Sequence, residues 1–342
     1  MCVKSCMCRS SVTLMGKRIR DENEQTSNAD NAPVAKVGKP TNIAYGEYNK
    51  AGVSIPCTDL NRPKLLESER KSQLRVVAWN LNGMRAFMSK RSDELRRLWK
   101  NEDVDILGIS EHKITEVEKT VEIEAQIRSC CGPRVKIYWN MCKVKKGYSG
   151  TCAIVRESIC VKNVTYGLNG SEDSEGRVIT LELENFAVLI AYVPNSGQTL
   201  DRLKYRISTW DSDFAKHALN LQKKGLGVII AGDLNVAHRD MDIWNVDAPH
   251  VPKGAGTTPQ ERASFQKQLL DRGFSDTFAD MHPSATGWFT YHSVRAGNKP
   301  KNRGLRLDYV LSDRKPIDAY ITCEYALDGD HCPVGATFQI PT

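Results

Sequence analysis

Two packed β-sheets flanked by helices is the architecture that this 342-residue sequence predicts. Strand-like apolar runs recur from Arg75 to the C-terminus, and only three sustained helical stretches lie among them. The two kinds of segment do not alternate regularly, which argues against a doubly wound parallel sheet.

The runs are RVVAWNL, VDILGIS, VKIYWN, GTCAIV, RVITLELE, FAVLIAYV, GVIIAGD, WFTY, RLDYVLS, AYITCEY and VGATFQI. Many alternate apolar and polar residues, as strands buried on one face do. The helical stretches are SDELRRLWKNE after Ser92, a long run from Leu200 to Lys224, and TPQERASFQKQLLDRG. In the third, Thr258 is the expected cap and Pro259 the first helical residue. No internal repeat is visible, so residues 73–342 read as one domain.

Residues 1–72 are rich in Asn, Ser, Lys, Glu, Gly and Pro with no apolar period, and they read as a disordered extension. Before Asp21 the chain carries Lys4, Arg9, Lys17, Arg18 and Arg20 and no acid. That fits a nuclear-import patch (GKRIR), a mitochondrial transit peptide or a plain solvated tail. Nucleus is the expected location, with mitochondrion as the alternative.

With 40% hydrophobic residues the chain can bury a large core. No window approaches the roughly 18 uninterrupted apolar residues of a membrane span. Eleven cysteines are scattered without C-x-x-C pairing, several within apolar strands, and they are expected to be reduced. Cys2, Cys6 and Cys8 lack a fourth metal ligand nearby. The formal charge of +7 is compatible with a polyanionic partner without specifying one.

Chemistry gathers where apolar strands end. GVIIAGD delivers Asp233 and then Asn235 into a loop, a carboxylate and a carboxamide suited to a hard metal ion, a water and an anionic oxygen. In VVAWNLNGMRA, period-two alternation puts Asn80 and Asn82 on one face. VDILGISEHK presents Glu111. In FAVLIAYVPNSG, Tyr192 and Asn195 offer a phenol and a carboxamide as hydrogen-bond donors. Asp308 interrupts the apolar RLDYVLS, and His331 in GDHCPV is its natural partner, fixing one imidazole nitrogen and freeing the other. Asp330, next to it, is a further candidate ligand. The remaining histidines, His112 among them, show no clear companion.

Taken in order, WNLNGMRA, SEHK, GYSGTCAIV, EGRVITLE, AYVPNSG, GDLNVAHRDMD, TPQER, RLDYVLSD and GDHCPV resemble the exonuclease III family of apurinic/apyrimidinic endonucleases, and the chain is read as a eukaryotic member. The resemblance covers about Leu74 to the C-terminus. It implies a four-layered α/β sandwich of the deoxyribonuclease I-like type and Mg2+-dependent cleavage of double-stranded DNA 5′ to an abasic site, with Mn2+ as a substitute ion. It further implies base-excision-repair proteins as partners; a monomer is expected.

By resemblance, Asp233 orients or deprotonates the attacking water with Asn235 beside it. Glu111 is the principal metal ligand with Asp330 and Asn82 nearby, and Asp233, Asn235 and His331 are further candidate ligands. His331, paired with Asp308, stabilises charge on the phosphate, while Tyr192, Asn195 and Asn80 complete the phosphate contacts. Whether Asp233 or His331 is the base stays open. DNA contacts are expected from Arg85, Ala86, Lys90, Gly147, Tyr148 and Asn195, with Tyr148 entering the minor groove or stacking. Trp288, Leu305 and Leu307 are expected to line the pocket for the baseless sugar. Three positions depart from animal members: Asn82 replaces Asp, Gln198 replaces Arg and Leu305 replaces Trp. The smaller Leu305 is expected to admit normal nucleotides and so to permit some 3′-end trimming or 3′-phosphodiesterase activity.

Overall fold

The computed structural model describes residues 54–341. The basic patch and Cys2, Cys6 and Cys8 lie outside the described residues. Two six-stranded sheets are formed, one in the order β11-β12-β1-β2-β4-β3 and the other β5-β6-β7-β8-β10-β9. The strands are β1 Gln73–Asn80, β2 Ile106–Ser110, β3 Val135–Asn140, β4 Thr151–Arg156, β5 Asn163–Tyr166, β6 Val178–Glu182, β7 Phe186–Tyr192, β8 Gly227–Asp233, β9 Ser275–Asp276, β10 Asp308–Ser312, β11 Asp318–Ile321 and β12 Val334–Gln339. Four helices matter here: α1 Met84–Asn101, α2 Glu118–Cys131, α3 Asp211–Gln222 and α4 Pro259–Gln268.

Alternation along β1 assigns the layers. Val76 and Ala78 join Val188, Ile190, Ile229 and Ala231 in the core between the sheets. Val77 and Trp79 point the other way, against Leu95 and Leu98 of α1 and Ile123 and Ile127 of α2. On the second sheet Leu189 and Ile230 face Phe214 of α3 and Phe265 of α4. Four layers result, helix–sheet–sheet–helix, and both faces of each central strand are dry; this is why GVIIAGD reads as an unbroken apolar run. The sheets approach closely at Gly108, where a Cβ would meet Ile190 Cδ1 at 2.5 Å.

Several expectations shift. WFTY is not a strand: Tyr291 makes only isolated bridges to Leu305 and His331. AYITCEY ends its ladder at Ile321 and turns into a 3-10 helix, Cys323–Tyr325. The helix after Ser92 is formed and is preceded by a further helical segment from Met84, the two joined across a kink at Arg91 (φ −135°, ψ 15°), and the run after Leu200 contains a π-helical turn, Arg206–Trp210, ahead of α3. Helix α2 and the edge strand β5 were not anticipated, the first because Ile123 and Ile127 are its main apolar markers, the second because its residues are largely exposed. The Thr258 cap is formed, with Glu261 N–H donating to its hydroxyl at 3.2 Å.

Residues 54–72 lie on the domain, so the folded part starts before the expected boundary at Gln73. Ile55 is buried and its N–H donates to Lys301 O, while Arg62 bonds Asp318 at 2.7 Å and stacks on Tyr320. Cys323 and Cys332, expected as free thiols, are joined in a disulfide.

Candidate active site

Strand direction gathers the site at one edge of the sandwich. β1 runs parallel to β2, and β7 to β8, so Asn80, the Glu111 turn, Tyr192 and Asp233 all emerge at matching C-terminal ends. β10 runs antiparallel to β8 with Asp308 in register with Asp233. β12 enters antiparallel to β1, which sets the preceding His331 at the same edge. Asn82, Glu111 and Asn235 adopt positive φ of 50°, 55° and 50°, turning the chain sharply as it leaves the sheets. Gly232 permits the approach of β8 to β7, since a Cβ there would lie 1.9 Å from Ala191 O.

Asn80 is the hub. Its amide donates to Glu111 Oε1 at 3.0 Å and to Asp233 Oδ2 at 2.9 Å, and its Oδ1 accepts from Asn82 N. The Tyr192 hydroxyl donates to the same Glu111 oxygen at 2.8 Å. Asn235 is fixed on three sides: its N–H donates to Asp233 Oδ1, its amide donates to Val193 O, and its Oδ1 accepts from Asn195 Nδ2, each at 2.9 Å. Asn82 donates to Asp330 Oδ2 at 2.7 Å. His331 Nδ1 lies 2.8 Å from Asp308 Oδ2.

Burial and charge set the proton affinities. Desolvation pushes Asp233 up to about 7, Asp308 adds to the rise, and His331 opposes it. Burial disfavours the charged form of His331, yet the Asp308 carboxylate outweighs it and lifts the imidazole to about 10. Glu111 is held below its ordinary value: burial opposes ionisation, but Lys113, Asn80 and Tyr192 together prevail. A carboxylate near neutrality beside an imidazolium suits proton abstraction from a water next to an anion.

Asp233, Asp308 and His331 offer ligand atoms that all lie within 4.8 Å of one another, and Asp308 Oδ1 is buried with no hydrogen-bond partner. An orphaned, buried carboxylate oxygen fits an additional cation or water. Glu111 is not in this group. It belongs instead to a neighbouring polar set in which Lys113 lies 3.0 Å from it and also donates to Asn82. Lys113 went unnoticed in the sequence although it sits within SEHK.

The expected DNA contacts divide. Arg85, Ala86 and Lys90 are exposed on the first turns of α1, directly after Asn82, and Gly147 is exposed on its loop. Tyr148 is half-buried, and its hydroxyl accepts from Arg177 at 2.7 Å and Arg202 at 2.8 Å, which fixes the ring beside the loop. Trp288 is separated from Leu305 and Leu307. It packs toward Phe278 in the inter-sheet core and donates to Thr58 O, whereas the two leucines join Ile243, Val251 and Tyr291. Tyr291 stands with the two leucines, its ring 5.0 Å from that of His331 between centroids.

A buried acid–imidazole cluster flanked by amides, at the strand ends of a four-layer sandwich, defines a hydrolase for phosphate esters. Residues 77–321 match the endonuclease/exonuclease/phosphatase family. The chain is 39% identical to an exodeoxyribonuclease of Bacillus subtilis, over 78% of this chain and all of the relative. It is 35% identical to the DNA repair nuclease APEX1 of Danio rerio, over 80% of this chain and 85% of the relative. The crystal structure of the AP endonuclease LMAP from Leishmania major superposes with a TM-score of 0.73 at 27% identity, covering 83% of this chain and 93% of that one. The chain belongs to the endonuclease/exonuclease/phosphatase family and is an enzyme of it.

Proposed function

We propose that this enzyme is a DNA-repair nuclease that hydrolyses the phosphodiester 5′ to an abasic site in double-stranded DNA, leaving a 3′-hydroxyl, with 3′-phosphodiesterase or 3′-exonuclease activity beside it. The Asp233–His331–Asp308 arrangement is the observation that carries this reading, together with relatives named as DNA-(apurinic or apyrimidinic site) endonuclease and exodeoxyribonuclease.

Asp233, ionised above neutrality, takes a proton from the water held between it and Asn235. His331, kept protonated by Asp308, lends positive charge to the phosphate as negative charge grows there. Asn195 bonds a non-bridging oxygen through its second amide hydrogen, Tyr192 orients Glu111 through its hydroxyl, and Asn80 holds Glu111 and Asp233 in register. Mg2+ is the proposed ion, with Mn2+ as substitute, and Glu111, Asp330 and Asn82 would hold it with Asp233 and Asn235 as further donors; His331, expected from the sequence as a further ligand, is left out of this set because its Nδ1 is held by Asp308 and the ring is kept protonated. When bound, such an ion neutralises phosphate charge and assists the leaving oxygen. The orphaned Asp308 Oδ1 supports the presence of a further cation at this edge.

We further propose the nucleus, or alternatively the mitochondrion, as the location, a monomer as the working form and other base-excision-repair proteins as partners. An oligonucleotide carrying one tetrahydrofuran abasic analogue tests the activity. Incision 5′ to the analogue that stops on chelation is expected; an uncut analogue with cleavage of another phosphodiester would overturn the reading.

A further inference from the structure

We propose that Cys323 and Cys332 form a reversible thiol–disulfide site that sets how firmly His331 is held. The two residues face one another just beyond the β11–β12 ladder. Ile321 pairs with Val334, Thr322 N–H donates to Pro333 O at 3.0 Å, and the next opposed positions are the two cysteines, with Cα atoms 4.7 Å apart. The sulfur–sulfur bond closes a loop of sequence separation 9 that contains the 3-10 turn Cys323–Tyr325 and ends at Asp330 and His331.

The bond is tied into the site on its inner side. Cys332 follows His331 directly, and its N–H donates to Thr290 O at 2.7 Å. The Thr290 hydroxyl in turn accepts from the backbone N–H of Leu307 and of Asp308, at 2.9 and 3.0 Å. Cys323 Sγ lies 3.6 Å from Phe289 O, one residue earlier on the same segment. The link therefore ties the far end of the loop, at Cys323 beside Phe289, to the chain carrying His331, which the Cys332–Thr290 hydrogen bond already anchors to the segment that positions Asp308. Opening it leaves the Cys323–Asp330 loop held by hydrogen bonds and by the packing of Tyr325 and Ala326 against the helix-side core, with more conformational freedom at its Asp330 end next to the imidazole.

Access is one-sided. Cys332 is wholly buried, whereas Cys323 is part-exposed, so one sulfur is reachable by an external thiol or disulfide. The oxidant is a low-molecular-weight disulfide such as oxidised glutathione. The Cys323 thiolate attacks one of its sulfurs and expels the first small thiolate. The Cys332 sulfur then attacks Cys323 Sγ of the mixed disulfide and expels the second. The two protons lost by the protein thiols are taken up by the two small thiolates, and an excess of small thiol drives the same steps backward.

The test uses the full chain poised across a series of reduced-to-oxidised glutathione ratios. Alkylation and mass spectrometry count the free thiols at 323 and 332, amide exchange follows residues 324–331, and incision of the abasic-analogue oligonucleotide follows activity. The activity arm rests on the proposed function; thiol count and exchange do not. The expected result is a joint two-thiol transition, faster exchange on reduction, and roughly tenfold slower turnover, the low end of the cost of losing a positioning partner. Cys323→Ser should show reduced-form exchange and turnover at every ratio. Constant exchange while the thiols interconvert, a pair that never changes state, or unaltered redox dependence in Cys323→Ser would each overturn the proposal. Absence of incision at every ratio would instead count against the proposed function, leaving exchange to judge the redox site.

Discussion

His331 Nε2 lies 4.0 Å from Asp233 Oδ2, with the opposite ring nitrogen bonded to Asp308. That separation is too long for a full hydrogen bond and short enough for strong electrostatic coupling. It divides the labour: Asp308 keeps the ring charged, and Asp233 remains free to take a proton from water.

Asp233→Asn should remove the base while keeping the Asn80 contact. Single-turnover incision is expected to fall on the order of 10^4-fold, as for other members of interdependent catalytic groups. DNA affinity, measured by anisotropy, should stay within a few-fold. A loss below tenfold would show that the proton goes elsewhere.

Asp308→Asn tests the positioning role separately. The ring would lose the carboxylate that raises it, so its protonated fraction at neutral pH should drop. A decrease in kcat of roughly 10–100-fold with a modest change in KM is expected. NMR titration of the His331 ring should show its pKa lowered; an unchanged ring would contradict the assignment.

Leu305 and Tyr291 border the apolar cluster beside His331. Leu305→Trp should fill that space and reduce exonucleolytic release of normal nucleotides relative to abasic incision, by about tenfold on the scale of one lost side-chain fit. Trp288→Ala should lower thermal stability and leave this ratio unchanged, because its contacts run to Phe278 and Thr58. The ratio of the two rates, not either rate alone, is the readout.

Much of the site was legible because each key residue ends an apolar run. Asp233, Glu111 and Asp308 stand out where a charge follows or interrupts residues that can only be buried. What was hidden depends on which strand ends meet. Lys113 is an ordinary loop lysine until β1 and β2 run parallel and bring Asn82 beside Glu111. His112 looked solitary, yet its Nε2 bonds Asn140 O and its Nδ1 accepts from Ile114 N–H, while burial lowers it to about 4. The Cys323–Cys332 pairing needed the β11–β12 register. The separation of Trp288 from Leu305 and Leu307 was hidden because WFTY has strand-like composition but no ladder to fix its faces.

Acid stability should report the buried Arg306 network. Arg306 donates to Asp242 at 2.8 and 2.9 Å and to Asp276 at 2.6 Å. Burial alone would raise Asp242, but Arg306 outweighs it and holds the carboxyl at about 2. A folded value below the unfolded one gives stability that is complete above about pH 4 and lost as pH falls through about 2, worth about 2–3 kcal/mol. Denaturant titrations between pH 5 and 2 should show this loss. Asp242→Asn should flatten it and cost about 3–5 kcal/mol at neutral pH, the usual price of an uncompensated buried charge.

The last prediction concerns how Asn235 is held from behind. Arg206, fully buried, donates to the backbone oxygens of Leu234 and Asn235 and to Glu261 Oε1 at 3.1 Å. Glu261 also accepts from Ser196 Oγ and Gly256 N, so one carboxylate joins the α4 cap, the turn after Asn195 and the catalytic loop. Asn235 has φ of 50°, a conformation that persists only where its surroundings enforce it. Glu261→Gln keeps the shape but removes the charge opposite Arg206, leaving Asp211 at 3.8 Å as its remaining acid. Stability should fall by about 3–5 kcal/mol in chemical denaturation. In the folded fraction kcat should drop by roughly 10^2-fold, the scale of a misplaced reacting group, with KM little changed. Normal kcat in a destabilised variant would show that the αL turn at Asn235 is set locally, by its bonds to Asp233, Val193 and Asn195, and not by the arginine behind it.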